Sequence, residues 1–318
     1  MTLDITNYVQ SDENEWERFC LKAENSTFLH TRKFLGYHGS RFRDVSVLIY
    51  KKNGNLVAVM PAAVDPFDAD TVVSHPGATY GGIIHQGWMS GVRMVEAFAS
   101  LKNHYASMGF KKLVYKAIPY IYSLAPAQDD LYALFRHDAV RVRCDLSCTI
   151  DLFHRRKPSE RRQRNLRKAQ RSVQISSDPS FVGPLWKVIA DNLSREHRTT
   201  PVHTIDELKY LANLFPDTIK IQCGIVEKEV EAGIVFFNSP SVWHAQYIAS
   251  SEKGYLLSAL DAVFNSAIDM AQMAGVRYFD FGISNENSGR ILNDGLYHYK
   301  SEFGGSGVVH EFYEMELA

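Results

Sequence analysis

The feature that most constrains this fold is an internal duplication, because the chain runs through one order of elements twice. In each half, a hairpin of two apolar strands precedes a long helix, and a glycine ends that helix before another apolar strand. Residues 106–115 and 272–281 share this helix end, glycine and strand. At roughly 150 residues per domain, a chain of 318 residues is long enough for two cores. The repeat therefore predicts two copies of one α/β unit.

The first copy is predicted from local signals. Asn53-Gly54 is typical of a tight hairpin turn, and Gly109 follows the last apolar residue of the long helix. We expect a helix at 14–23, strands at 45–50 and 56–60, a glycine- and proline-rich loop at 75–82, a helix spanning Met94 to Tyr105, and a strand at 112–118.

The second copy follows the same order. Thr204 and Glu207 form a capping box for a helix that Pro216 ends, and Gly275 ends the long helix. The predicted strands cover 219–226, 230–237, 243–249 and 276–281, and the long helix covers 255–273.

The composition excludes several classes of protein. The chain is 45% hydrophobic and 22% charged with a net charge of −1, which is ordinary for a globular domain. No apolar run approaches the ~18 residues of a membrane span, and the N-terminus lacks the pattern of a signal peptide. We therefore expect a reduced, cytoplasmic protein with no membrane partner. The histidines and cysteines show no metal-ligand spacing, so no metal is predicted.

Two of the four cysteines lie in an alternating segment, residues 142–152. The alternation predicts a half-buried strand with Cys144 and Cys148 pointing into the core. Its outer face would carry Arg141, Arg143, Asp145 and Ser147.

The sharpest change in composition lies between the two copies. Residues 154–171 contain nine Lys or Arg and one acid, Glu160, and Pro158-Ser159 is a suitable helix start. One interpretation is a solvated linker helix, and the other is a cation cluster that binds phosphates. Nucleic-acid binding is the weakest alternative because no aromatic residues are interleaved for base stacking.

The second half also resembles a known family. Phe279 to Ser284, Asn293 to Leu296, Lys300 and Phe303-Gly304 are together similar to the C-terminal signature of the FemAB-like branch of the GNAT acyltransferases. The basic run 164–169, the strand 242–247 and the turn 250–254 lie where that branch would have them. The resemblance implies an α/β fold of two tandem GNAT-like domains, 1–153 and 154–318. Each would be a mixed, mostly antiparallel sheet flanked by helices.

This resemblance also bears on the acyl donor. FemAB-like enzymes that use aminoacyl-tRNA carry a long helical arm, which this chain lacks, so acyl-coenzyme A (acyl-CoA) is the expected co-substrate. A turn that leads into a helix exposes unpaired backbone N–H groups and can hold a pyrophosphate. An ordinary strand-to-helix turn is the alternative for this segment. The candidate cofactor-binding residues are Tyr247, Ile248, Ser250, Ser251, Lys253, Gly254, Tyr255 and Leu256.

Acyl transfer to an amine needs a base and a donor for the developing oxyanion. Alternation on the strand 243–247 places His244 and Gln246 on one face, with Trp243, Ala245 and Tyr247 on the other. Asp280 follows Phe279 near a strand end, where a buried carboxylate needs a partner. His244 and Asp280 are the candidate catalytic residues, and the alternatives are a satisfied polar pair and a turn cap.

Arm-less tandem members of the branch that this chain resembles include enzymes that acylate nucleotide-linked amino sugars. The resemblance therefore implies such an acceptor, and the basic run 155–171 suits its diphosphate. Such an enzyme would act in the biosynthesis of surface polysaccharide, O-antigen or capsule. Two alternatives are an aminoacyl-tRNA-dependent, FemAB-type peptidoglycan transferase and a non-catalytic module for anionic ligands. Several candidates have a structural alternative, such as a tight loop at Tyr80 or a helix end at His197. The candidate substrate-binding residues are Tyr80, Arg164, Arg167, His197, Gln246, Ser284, Asn293 and Lys300.

Overall fold

The computed structural model describes residues 3–197 and 199–317, which form two compact units. The first unit contains the chain up to Asp145 together with Asn285–Ile291 and the segment from Val309 on, and the second contains Leu146–Ser284 and Leu292–Val308. The second unit thus begins before the expected boundary at 154, and the C-terminal strand returns to the first unit. This return follows from strand pairing, because Phe312–Glu316 pairs with Lys112–Lys116 of the first unit.

The described part of the first unit combines short sheets with four α-helices. Its elements are β1 Leu3–Asn7, α1 Glu13–Cys20, α2 Arg32–Gly36, β2 Val47–Lys51, β3 Leu56–Met60, β4 Ala63–Asp65, β5 Asp68–Val73, β6 Ile84–His85, α3 Val92–Ser107, β7 Lys112–Lys116, α4 Asp129–Arg136 and the start of β8 Val140–Asp151. The strands β1, β2, β3 and β6 form an antiparallel sheet, and β5 pairs in parallel with β7. The apolar side of α3, including Phe98 and Leu101, packs into the core of this unit.

The second unit is built on a mostly antiparallel sheet. Its elements are the end of β8, α5 Glu160–Ala169, β9 Gln174–Ser176, α6 Val182–His197, α7 Ile205–Leu214, β10 Ile219–Val226, β11 Glu229–Asn238, β12 Val242–Ser250, α8 Glu252–Leu257, α9 Ala259–Met273, β13 Tyr278–Ile283 and α10 Asp294–Ser301. Three further strands, partly in the first unit, are β14 Asn285–Glu286, β15 Ile291–Leu292 and β16 Ser306–Glu316. The strand order within the unit is β8, β13, β12, β11, β10, β9. Of these described neighbours, β12 and β13 are parallel and the others antiparallel. Phe264 and Ile268 of α9 pack on one face of the sheet, and Leu185 and Trp186 of α6 pack on the other.

The duplicated junctions have the same backbone geometry. Gly109 after α3 and Gly275 after α9 both have positive φ, 91° and 72°. An added Cβ would meet nothing within 4 Å at either position, so conformation rather than space requires glycine here.

The extent of one helix and the burial of one strand face differ from the expectations for the second unit. The helix expected at 255–273 is two helices, because Ser258 between them adopts a left-handed conformation with φ 59°. The outer face of β8 is buried rather than solvated within the second unit, where Ser147 is 0% and Thr149 4% exposed. Asp145, at the end of the first unit, is also buried.

Among the described residues, no helix is long and apolar enough to cross a bilayer.

Candidate active site

The parallel pairing of β12 with β13 brings His244 and Asp280 together. Val242–His244 pair with Tyr278–Asp280, which places His244 directly opposite Asp280. The distance from His244 Nδ1 to Asp280 Oδ2 is 2.7 Å. Asp280 is fully buried, whereas 13% of the His244 side chain is exposed. The two predicted catalytic residues therefore form a hydrogen-bonded pair with its imidazole toward solvent.

Asp280 also accepts hydrogen bonds from strand β8. The hydroxyl of Thr149 donates to Asp280 Oδ1 over 2.7 Å, and the hydroxyl of Ser147 donates to the same oxygen. These bonds replace the water that a buried carboxylate loses. The alternation of β8 predicts Ser147 on the outer face of the strand, and Thr149 was not predicted as a contact of Asp280. The signal was present, because polar residues at every second position of an otherwise apolar strand indicate a polar row across the sheet.

The carboxylate fixes which imidazole nitrogen carries the proton. Asp280 can only accept from Nδ1 of His244 while it is ionised, so the proton of the neutral imidazole lies on Nδ1. The other nitrogen, Nε2, then has a free lone pair. An imidazole oriented in this way can take a proton from a bound substrate.

A β-bulge in β12 changes which side chains share a face. Ala245 pairs with Phe236 and Tyr247 with Val235, so Gln246 is the extra residue. The alternation reverses there, and Tyr247 lies on the same face as His244. Tyr247 and Phe237, the partner of His244 on β11, both pack against the ring of His203. The expectation that Tyr247 faces away from His244 was therefore wrong, because alternation alone cannot anticipate an inserted residue.

The two parallel strands diverge immediately after the pair. The last position of β12 that pairs with β13 is His244, yet β12 continues to Ser250. Within the described chain, the edge of β12 that faces β13 therefore has no strand partner beyond His244. Tyr247 and Ile248, two of the candidate cofactor-binding residues, lie on this stretch.

The turn after β12 is bonded to nearby carboxylates. Ser251 caps α8 by accepting from Gly254 N at 2.9 Å, and its hydroxyl donates to Glu231. Lys253 forms ion pairs with Glu227 at 2.7 Å and with Glu231 at 3.8 Å.

Glycine is required at the start of α8 by close packing. A Cβ at Gly254 would lie 2.3 Å from the Glu231 carbonyl oxygen and 2.4 Å from the Ser250 hydroxyl. Ser250 itself donates to the carbonyl of Glu231. Tyr255 and Leu256 are exposed and line an open cleft of about 500 Å³ with Arg195 and Glu252.

Lys300 lies beneath the strand that carries Asp280. It is 4% exposed, and its ammonium group donates to the carbonyls of Gly282 at 2.9 Å and Ile283 at 2.7 Å. Burial lowers the pKa of Lys300 to about 8, and the charge of Asp280 opposes this shift. Gly282 has φ 75°, and a Cβ there would be 3.4 Å from the His244 ring. Lys300 thus fixes the irregular strand end beside the His244–Asp280 pair.

Ser284 and Asn293 follow that strand end. Asn293 caps α10 by accepting from Leu296 N at 3.0 Å, and its own N–H donates to the carbonyl of Ser284. The buried hydroxyl of Ser284 has no hydrogen-bond partner among the described residues. Gln246, the bulged residue, is half-buried.

The basic helix α5 has a bonded side and an open side. Arg162 is buried and pairs with Asp261 at 2.9 Å and Glu302 at 3.3 Å. Burial raises the pKa of Asp261 to about 6, against the lowering effect of Arg162. Arg164 and Arg167 are exposed, and neither has an ion-pair partner in the described part of the chain.

The remaining two candidates lie elsewhere. Tyr80, in the first unit, is 4% exposed, packs on Tyr122 at 4.5 Å and donates its hydroxyl to Thr27. The adjacent Gly81 is required by packing, because its Cβ would lie 1.8 Å from the Ser74 carbonyl oxygen. These contacts favour a packing role for Tyr80. The side chain of His197 lies outside the described part of the structure. No group of three or more His, Cys, Asp or Glu within that part is arranged to hold a metal ion.

The second unit is similar to a known family of domains. Residues 154–301 match the family model described as an acetyltransferase (GNAT) domain. The comparison confirms the expected class, an α/β fold of two tandem GNAT-like domains. No curated protein matches the chain.

Solved structures share the architecture over the whole chain. The chain is similar to FemX, with a TM-score of 0.69, 10% identity, and coverage of 98% of this chain and 96% of FemX. It is also similar to L-PGS from Bacillus licheniformis, with a TM-score of 0.61, 12% identity, and coverage of 97% of this chain and 92% of that protein. A third similar structure is a tandem GNAT protein from the clavulanic acid biosynthesis pathway. Its TM-score is 0.52 at 10% identity, and the match covers 99% of each chain. At these identities the likeness shows the fold alone.

Proposed function

We propose that this protein is an N-acyltransferase that moves an acyl group from an activated donor to an amine. The observation that carries the proposal is the position of the His244–Asp280 pair at the point where β12 and β13 diverge. A base lies there next to a backbone edge that has no strand partner among the described residues. Acyl transfer to an amine needs these two features together.

The residues act in a single displacement. His244 Nε2 accepts the proton that the acceptor amine releases as its nitrogen bonds to the acyl carbon, and Asp280 stabilises the imidazolium that results. The backbone N–H group of Ile248, on the edge of β12 that has no strand partner in the described chain, stabilises the negative charge on the acyl oxygen. The bond to the leaving group then breaks, and His244 returns the proton to it.

The proposed donor is acyl-CoA, which when bound supplies a thioester that an amine can attack. The GNAT domain match and the gap between β12 and β13 support it. The exposed Tyr255 and Leu256 offer surface next to Arg195 for the nucleotide end. Ser251 and Lys253 would have to exchange the carboxylate of Glu231 for the pyrophosphate.

The proposed acceptor is a nucleotide-linked amino sugar used for surface polysaccharide. Arg164 and Arg167 support this assignment, because they are exposed cations without a protein partner in the described chain. Guanidinium groups bind diphosphates through paired hydrogen bonds.

Aminoacyl-tRNA is a second candidate donor, and one observation favours it. The carboxylates of Glu227 and Glu231 surround the turn where GNAT enzymes hold the CoA pyrophosphate, and they repel an anion at that position. A donor attached by an ester to a large nucleic acid would not need this turn.

The test is a turnover assay with a panel of acyl-CoA thioesters and nucleotide-linked amino sugars, in which free thiol is measured. We expect thiol release that requires both substrates and that falls at least about 100-fold in His244→Gln, because the base is lost. His298→Gln, an exposed histidine on α10, is the matched control and should keep full activity. Transfer from charged tRNA, with no turnover of any thioester, would identify aminoacyl-tRNA rather than acyl-CoA as the donor. Binding without turnover of either donor would overturn the proposed function.

A further inference from the structure

A single hydroxyl group ties the connection between α6 and α7 to strand β12. His203 lies in this connection, directly before the N-cap of α7. Its ring nitrogen Nδ1 is 2.6 Å from the hydroxyl oxygen of Tyr247, and its backbone N–H donates to the same oxygen over 3.4 Å. Both side chains are buried, at 9% exposure each. Because a buried hydroxyl is costly without hydrogen bonds, these contacts stabilise Tyr247 in its observed orientation.

The two residues after the bulge lie in different surroundings. The ring of Tyr247 is held on the α6 side of the sheet, where it meets Trp186 edge to face at 5.2 Å and the His203 ring at 5.9 Å. The next residue, Ile248, packs against the core that α9 covers. Successive side chains of a strand point to opposite faces, so these contacts specify one register for this part of β12.

The bulge also sets the direction of the backbone N–H groups, because these alternate along a strand as the side chains do. With Gln246 as the extra residue, Tyr247 pairs with Val235. The N–H of Ile248 then faces the edge of β12 from which β13 has diverged. If the extra residue were accommodated beyond Ile248 instead, this N–H would turn toward β11 and Tyr247 would turn to the α9 side. The position of the bulge therefore decides whether the Ile248 N–H faces the gap.

We propose that His203 is a positioning residue for acyl transfer, which holds Tyr247 on the α6 side and so keeps the Ile248 N–H directed at the acyl oxygen. The inference rests on the proposed function, which gives this N–H its role. His203 acts through Tyr247 and takes no part in the proton transfer, which belongs to His244. Its effect on the backbone is a property of the protein without substrates and can be measured separately.

Steady-state kinetics test the effect on the reaction. His203→Phe keeps an aromatic ring but loses the Nδ1 contact, so we expect kcat to fall about tenfold with KM for both substrates unchanged. His203→Asn should recover most of kcat, because its amide can take the place of Nδ1. Tyr247→Phe should lower kcat as much as His203→Phe, and the double variant no further. Tyr210→Phe, an exposed tyrosine on α7, is the matched control and should keep full activity.

Amide hydrogen exchange, followed by NMR without substrates, tests the effect on the backbone. In His203→Phe, we expect the Ile248 amide to exchange at least about tenfold more slowly than in the unchanged chain, because it pairs with β11 once the bulge moves. A general loss of stability would speed up exchange instead, so the direction of the change separates repositioning from destabilisation. His203→Asn and Tyr210→Phe should leave the rate at Ile248 unchanged.

The two measurements have separate outcomes. An Ile248 amide that exchanges at the same rate or faster in His203→Phe would overturn the proposal, whatever the activity. Full kcat in His203→Phe, with His244→Gln inactive, would also overturn it and leave the proposed function intact. No turnover of either donor by the unchanged chain would overturn the proposed function and with it this role of His203, even if exchange at Ile248 slows as expected.

Discussion

A buried aspartate is costly unless its charge is compensated, and Asp280 accepts hydrogen bonds from both neighbouring strands. His244, Ser147 and Thr149 each hydrogen-bond to it from a neighbouring strand. The sequence predicted that His244 and Asp280 matter, because a histidine and a carboxylate in apolar strands need partners. It did not predict that they contact each other, since strand order is a tertiary property. Only the parallel pairing of β12 with β13 makes the contact.

Replacing the carboxylate by an amide tests the role of this charge. Asp280→Asn keeps the volume but cannot stabilise an imidazolium, and its NH₂ group can face Nδ1 of His244. We expect kcat to fall about 10²- to 10⁴-fold in steady-state assays of acyl transfer, with the urea unfolding midpoint less affected. Asp269→Asn, a half-exposed aspartate on α9, is the matched control. Unchanged kcat in Asp280→Asn would remove the pair from the mechanism.

The buried His30 makes the stability of the first unit depend on pH. Burial lowers the pKa of His30 from 6.5 to about 4, and its ring bonds the backbone of Thr27 and Gly81. The unfolded chain therefore binds this proton at higher pH than the folded chain does. Stability should fall by up to about 3 kcal/mol as the pH drops through this window. Asp130 and Asp261, whose pKa values burial raises to about 6, act in the opposite direction.

The contribution of His30 can be separated from those of other groups by comparing variants. His30→Gln removes the titration, so urea unfolding from about pH 7 to pH 5 should show a flatter pH dependence than in the unchanged chain. His154→Gln, an exposed histidine, should leave the slope as it is. Equal slopes in all three proteins would contradict the assignment.

Irregular strands, at the level of elements, decide where the functional groups lie. Strand bounds were predicted well, and 56–60 and 219–226 match the structure. Two irregularities were not predicted. They are the bulge at Gln246 and the shift in register after Asp280. Local sequence sets which residues favour a strand, whereas the pairing partner decides where an extra residue is accommodated. The break between α8 and α9 at Ser258 was not predicted either, because no glycine or proline at this position indicates the end of a helix.

The irregular end of β13 depends on one buried ammonium group. Lys300→Met would remove the buried ammonium group that donates to the carbonyls of Gly282 and Ile283. We expect urea unfolding to show a loss of about 2 to 4 kcal/mol. Acyl transfer should be reduced as well, because Asp280 is no longer held in register. Lys187→Met, at an exposed site on α6, should change neither quantity. A Lys300→Met protein with full stability would show that the strand end does not need this contact.

For the whole molecule, duplication was the most informative pattern in the sequence. It predicted two α/β units, since each copy repeats a helix, a glycine and a strand with the same spacing. The limits of the units differ from the expected ones because the last strand pairs with β7, which is almost two hundred residues earlier. Pairing over such a separation leaves no local signal in the sequence. The same reason explains why Ser147 and Thr149 were not connected with Asp280.

The charge distribution of the molecule leads to a prediction about the acceptor. The net charge is −1, yet α5 presents Arg164 and Arg167 to solvent while Arg162 is buried in ion pairs. If the open side of α5 binds the diphosphate, Arg164→Gln/Arg167→Gln should raise KM for a nucleotide-linked acceptor about tenfold and leave kcat unchanged. The KM of the unchanged protein should rise with salt more steeply than that of the variant, since screening acts on exposed pairs.

The matched control separates binding at α5 from the effect of total charge. Lys187→Gln/Lys228→Gln removes the same charge from exposed sites outside α5 and should not change KM. An amine acceptor without phosphate should give the same KM with both double variants, because it offers the arginines no anion. Equal KM values for the nucleotide-linked acceptor in the two double variants would show that α5 is a solvated helix that does not bind the diphosphate. Arg162 would then be its main anchor, through Asp261 and Glu302.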